Sequence, residues 1–280
     1  MLLLNSFFQF QNSNLEKGIL FFIVVFLTIT LMLILSLFFI RAKRIRRIRF
    51  KNLMQAKVDH MLFQFLFTSL NYEELLRNSD FALYQKHLLF QKITVKAIIS
   101  LRNNYTGEYR LKLNELYVES GLVEYSMKKL NSKKWSDNVE GIRDLSNMNV
   151  QKAYSKIEQF LNHKNNMVRT EAILGMIRLK GIGELNSIAN SDIYLDDWTQ
   201  SNILYILQEN KIELPSDLVD LLNSKNLSVV LLVIRAIKYF NSKEHIKSLS
   251  DYADSTSDKK ITTELVQTLK KLNESNNQAL

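Results

Sequence analysis

Asp196 and Asp197 stand side by side ahead of Trp198, and paired carboxylates of this kind can share a proton in general acid–base chemistry. The same pair immediately precedes an apolar-periodic segment, Thr199–Leu207, where acids complement the positive end of a helix. The helix-end role is the expectation. Four histidines, His60, His87, His163 and His245, are widely separated, and none has a second ligand at helical spacing. A zinc site is therefore not expected. Cysteine is absent, which excludes a disulfide framework and thiolate metal ligands. There is no Gly-rich phosphate loop, and no serine sits in a nucleophile elbow. Trp135 and Trp198 are expected to pack in a core, and Arg169 and Arg178 to line one repeat face, as charges on helix surfaces commonly do. Thr106-Gly107-Glu108-Tyr109-Arg110 reads as a helix start, with Thr106 as its cap and an acid in its first turn. No catalytic residue, metal or cofactor is expected.

The elements that position these residues are helical. One proline, Pro215, and seven glycines in 280 residues leave too few turn formers for an all-β or doubly wound fold. Hydrophobic residues make up 46% of the chain, enough for a substantial core.

The formal net charge is +9, a value that suggests a nucleic-acid partner until it is located. Arg41, Lys43, Arg44, Arg46, Arg47, Arg49 and Lys51 contribute seven positive charges with no acid among them. Glu16 and Lys17 cancel, so residues 52–280 carry only +2 and nucleic acid is not an expected partner. The basic run follows Ile19–Ile40, 22 residues without a charge, in which Thr28, Thr30 and Ser36 are the only polar side chains. At 1.5 Å per residue that stretch spans roughly 33 Å, enough to cross a bilayer core of about 30 Å. It is longer than the apolar part of a signal peptide, and its positive charges follow rather than precede it. A retained transmembrane helix is expected. The seven cations would contact anionic headgroups and set the N-terminus outside, with the following domain in the cytoplasm.

Beyond the basic run, Met54, Val58, Met61, Leu62, Phe65 and Leu66 recur at three- and four-residue spacing, the mark of an amphipathic helix. A second helix is expected from about Ser79 to Leu101, capped by Asp80, with a stripe of Phe81, Tyr84, Leu88, Val95, Ile98 and Ile99. Tyr109, Leu113, Leu116 and Tyr117 form a third face, ended at Gly121.

The second half repeats. Segments placed in register at Trp135, Val168, Thr199, Val229 and Ile261 are 33, 31, 30 and 32 residues apart. Four positions on come Val139, Ala172, Ile203, Val233 and Leu265; eight positions on come Arg143, Met176, Leu207, Ile237 and Leu269. Arg143 breaks its column, and Ile142 stands one residue earlier. A polar cluster of loop and cap character precedes each anchor. Shorter segments with their own stripes (Val150–Leu161, Ile182–Ala189, Leu218–Leu222 and His245–Tyr252) lie between the anchored helices. The stretch Asn166-Met167-Val168-Arg169-Thr170-Glu171-Ala172 resembles the Val-Arg-x-x-Ala helix start of HEAT repeats; at Val229 the arginine is replaced by Val230. The resemblance covers roughly residues 130–273 and implies an α-solenoid, in which each helix pair buries its apolar face on its neighbours.

The expected fold class is all-α: a single transmembrane helix, a helical region and a C-terminal HEAT-like α-solenoid. The expected segments are an extracytoplasmic N-terminus (1–18), a transmembrane helix (19–40), a basic juxtamembrane stretch (41–52), a membrane-proximal helical region (53–130), helical repeats (131–273) and a polar tail (274–280). The Asn-, Lys- and Ile-rich composition fits an AT-rich bacterial genome, which would make the membrane a bacterial inner membrane. HEAT-like proteins are mainly scaffolds, so the resemblance implies a membrane-anchored adaptor with a protein partner. The overall layout is similar to that of membrane-anchored proteins of bacterial envelope and polysaccharide systems. The alternative is an enzyme or small-ligand binder using a site on the solenoid's concave face, which requires clustered carboxylates or arginines there.

Overall fold

A computed structural model describes the backbone of residues 2–68, 71–78 and 81–277, and the side chains of 16–68, 71–77 and 81–274. The expected all-helical fold is observed, and no strand occurs among the described residues. The helices are α1 (Leu2–Phe67), α2 (Tyr72–Asn78), α3 (Phe81–Tyr84), α4 (Leu88–Asn104), α5 (Glu108–Glu119), α6 (Leu122–Leu130) and α7 (Trp135–Asn147). They continue as α8 (Tyr154–Glu158), α9 (Asn166–Lys180), α10 (Asp197–Glu209), α11 (Leu227–Phe240), α12 (Ile246–Ser255) and α13 (Lys259–Asn277). The expected polar tail is thus helical as far as Asn277, and residues 278–280 lie outside the described residues.

Helix α1 runs unbroken for 66 residues, because it contains no proline and no insertion displaces its hydrogen-bond ladder. Its two halves meet different surroundings. From Ile19 to Ile40 the side chains face outward all round the helix, with only Val25 and Thr30 half-buried. Phe22, Phe26, Met32 and Phe39 are all at least 70% exposed. From Met54 onward the expected stripe is buried, with Met54, Val58, Met61, Leu62, Phe65 and Leu66 each 3% exposed or less.

The chain then turns back through α2 and α3. Phe50 lies 5.4 Å from His87 between ring centroids, and Lys57 sits over the Tyr84 ring. Further along, Leu101 and Tyr105 share a groove with Phe63 and Phe67. Helix α4 therefore runs alongside the second half of α1, in the same direction. The helix expected from Ser79 is instead split into α3 and α4. His87 caps α4, its Nδ1 accepting from the Leu89 N–H at 3.2 Å. Ser79 and Asp80 lie outside the described residues. Leu88, assigned to the buried stripe, is exposed, because it falls in the first turn of the shorter helix. Gly107 rather than Thr106 precedes α5, at φ +63°, and Tyr109 is partly exposed. Gly121 takes the expected left-handed conformation between α5 and α6.

Helices α7, α9, α10, α11 and α13 begin within a residue or two of the five anchors and pack on one another in chain order. Four of the anchors, Val168, Thr199, Val229 and Ile261, are buried. Trp135 is not; Val139 and Ile142 hold α7 in place. Two of the intervening segments are 3-10 turns, at Ile182–Ile188 and Ser216–Asn223, rather than α-helices. Four of the expected polar clusters cap the helix that follows: Asn165, Asp196, Asn226 and Asp258 accept from backbone N–H groups in the first turn. The cluster before α7 does not, because Lys134 occupies the cap position and has no acceptor to offer.

Two apolar clusters share α9 as a wall. Val168, Ala172 and Met176 face the cluster built on α1 to α8, while Ile173, Leu174 and Ile177 face the one built on α10 to α13.

Candidate functional site

Four helix C-termini, those of α4, α7, α9 and α10, meet the start of α5 around a cavity of about 650 Å³. Five cations line it: Arg102, Arg110, Arg178, Lys180 and Lys211. Glu209 is its one acid among the described residues. Asn103, Asn147, Asn149, Asn210 and Gln151 add amide donors and acceptors, and Leu179 and Ile212 are its aliphatic walls.

The cations are held in different ways. Arg102 is buried in the last turn of α4 and donates from Nε to Asn114 Oδ1 at 3.0 Å. Burial, and then the charge of Arg110, push its guanidinium down to about 10, with Glu209 opposing. Arg178 lies 3.3 Å from Glu171, a buried carboxylate that also takes a 2.5 Å bond from Arg143. One negative charge thus serves two guanidinia. Burial lowers Arg178, with Glu171 opposing. Lys180 Nζ sits 3.5 Å from the Tyr154 ring centroid. Arg110 and Lys211 have no carboxylate within 4.0 Å among the described residues.

The backbone under this site repeats. Asn149, Gly181, Lys211 and Asn241 follow the ends of α7, α9, α10 and α11 at intervals of 32, 30 and 30 residues, all at positive φ. After three of them the chain folds back with the same bond: Val150 N to Leu145 O, Ile212 N to Leu207 O and Ser242 N to Ile237 O. This is the 6→1 bond of a Schellman turn. The turn positions carry Asn, Gly, Lys and Asn, so no single residue type marked them in the sequence.

The residues singled out from the sequence do not assemble. Asp196 caps α10, with Oδ1 accepting from Thr199 N at 2.7 Å, and its bonds to Thr199 hold its carboxyl below the usual range. Asp197 pairs with Arg235 at 2.6 Å, which lowers it as well. The two carboxylates therefore have separate partners. Trp135 and Trp198 are 48% and 63% exposed, correcting the expectation of core packing: each sits in the first turn of its helix, on the outward side. Arg169 bonds Asn166, and Arg178 turns inward to Glu171, so they do not line one face together. Among the described residues no group of three metal-ligating side chains occurs. Arg41, Lys43, Arg44, Arg46, Arg47, Arg49 and Lys51 are exposed along α1.

A buried polar chain between α5, α6 and α7 had no signal in the sequence. Tyr117 donates to Ser126 at 2.8 Å, Ser126 lies 3.4 Å from Asp144, and Lys129 reaches Asp144 at 2.7 Å. Burial pushes the Asp144 carboxyl up despite the lysine.

No family model and no curated protein matches the chain. A solved structure of an engineered protein is similar at a TM-score of 0.34 and 17% identity, covering 78% of this chain and 96% of that one. That likeness is too distant to define the fold.

Proposed function

We propose that this chain is a single-pass, membrane-tethered scaffold that presents a HEAT-like α-solenoid to a protein partner at the cytoplasmic face of a bacterial inner membrane. One observation carries the reading. The exposed apolar stretch Ile19–Ile40 and the buried stripe Met54–Leu66 belong to the same unbroken helix. An apolar surface of that length has a bilayer as its natural solvent. The helix then enters the core of the body with no flexible linker, so tether and body move together.

The seven exposed cations after Ile40 fit the headgroup layer and favour a cytoplasmic body. Confinement to the inner leaflet raises the body's effective concentration near membrane partners. Trp198 and Tyr205 are seven residues apart on α10 and both exposed, and they are residue types that anchor protein interfaces.

Reporter fusions after Leu280 test the topology: one active only outside the membrane stays silent and a cytoplasmic one is active. The opposite pattern reverses it. Photo-crosslinkers placed at Trp198 and Tyr205 in intact membranes should give a discrete protein adduct. Adducts with lipid, or none at either position, would remove the partner surface from α10.

A further inference from the structure

We propose that the cavity between the ends of α4, α7, α9 and α10 binds a soluble, phosphate-bearing small molecule, with Arg110 and Lys211 as its principal anion contacts. This goes beyond the scaffold reading and draws on it only for the distance to the membrane.

Some of the cations need no ligand. Helix C-termini carry partial negative charge, so basic residues in a last turn are stabilised where they stand. That covers Arg102 in α4 and Arg178 and Lys180 in α9. It does not cover Arg110, which lies in the first turn of α5, at the positive end of that helix. Lys211 follows the end of α10, so its charge is favoured there as well, but its backbone is not. Its φ of +52° is a conformation that Asn and Gly adopt readily and lysine does not, and the equivalent turns use Asn149, Gly181 and Asn241. That backbone holds Lys211 on the cavity lining.

The chemistry of the ligand follows from the lining. Arg110 and Lys211, the two cations with no carboxylate partner, match a ligand carrying about two negative charges, and a guanidinium fork matches phosphate oxygens. The amides supply donors and acceptors for hydroxyl or carbonyl groups. A cavity of about 650 Å³ is of the size that encloses a small molecule.

Phosphate groups occur on soluble molecules and on lipid headgroups. Tyr105, on the cavity wall, shares a groove with Phe67, which lies 27 residues beyond Ile40 on α1. At 1.5 Å per residue that is about 40 Å along the helix, beyond the headgroup layer. The soluble source is favoured.

The test is isothermal titration of the full chain in neutral detergent micelles with ADP, pyrophosphate and a hexose bisphosphate, at about 150 mM NaCl, where surface attraction is screened. Arg110→Ala and Lys211→Asn are the variants, the second chosen because asparagine suits the turn. At least one probe should bind saturably below about 1 mM and weaken roughly tenfold or more in each variant, the loss of a charge-assisted contact. The thermal unfolding midpoint of Lys211→Asn should stay at or above that of the parent. Absence of saturable binding by all three probes, or equal affinity in the variants, overturns the proposal. So does tighter association with vesicles containing anionic phospholipid that is lost in the same variants, since it assigns the site to a headgroup. A topology result reversing the scaffold reading leaves the titration outcome unchanged, so the two fail separately.

Discussion

Arg143 of α7 grips Glu171 of α9 through two bonds, Nη2 to Oε2 at 2.5 Å and Nε to Oε1 at 3.3 Å. Arg143 is the residue that interrupts the third apolar column of the repeat. The interruption places a cation opposite a carboxylate that α9 buries to 4% exposure. Glu171→Ala leaves Arg178 buried without its carboxylate and should destabilise the body by about 3 kcal/mol. Arg143→Ala removes a half-exposed partner while Arg178 remains, and should cost about 1 kcal/mol or less. Urea unfolding followed by circular dichroism measures both, and equal losses would contradict this ordering.

Asn226 ties the segment before α11 to the segment before α10. Its Nδ2 reaches Ile193 O at 2.8 Å, Ser191 O at 3.1 Å and Ile188 O at 3.3 Å, while Oδ1 accepts from Ser228 N. Asn226→Asp presents an acceptor to three carbonyls and should destabilise more than Asn226→Ala, which loses roughly 2 kcal/mol. The comparison of the two unfolding midpoints decides it.

Gly175 lies in the middle of α9, where a Cβ would stand 2.8 Å from Ile142 Cγ2 of α7. Alanine is the better helix former by about 1 kcal/mol. Close packing should still make Gly175→Ala destabilising, by roughly 1–2 kcal/mol. A rise in unfolding midpoint would mean that α7 and α9 can separate without cost.

Asp196 caps α10 with a carboxyl whose affinity for protons is lowered by the bonds to Thr199. A depressed carboxyl stabilises the fold above its ordinary value of 3.8, and that contribution is lost as pH falls through the lower folded value. Asp196→Ala should cost about 1 kcal/mol near neutral pH. Asp196→Asn keeps a cap without the titration, so the parent's advantage over it should be present near neutral pH and shrink as the pH drops below 3.8. A constant difference across that range would remove the carboxylate from the account.

Residue order alone was enough to establish the helical character, the long apolar run with its basic flank, the stripe Met54–Leu66 and the register of the anchors from Val168 onward. Each of these depends on residue type at a fixed local spacing, and burial then follows from hydrophobicity. The outward position of Trp135 and Trp198 was not legible, since helix-start residues face either way until the neighbouring helix is placed. Packing in three dimensions was needed to bring Arg102, Arg110, Arg178, Lys180 and Lys211 to one cavity. No local period relates them. Their meeting depends on how far each helix runs before its left-handed turn, and on contacts that set four helix ends level with one another.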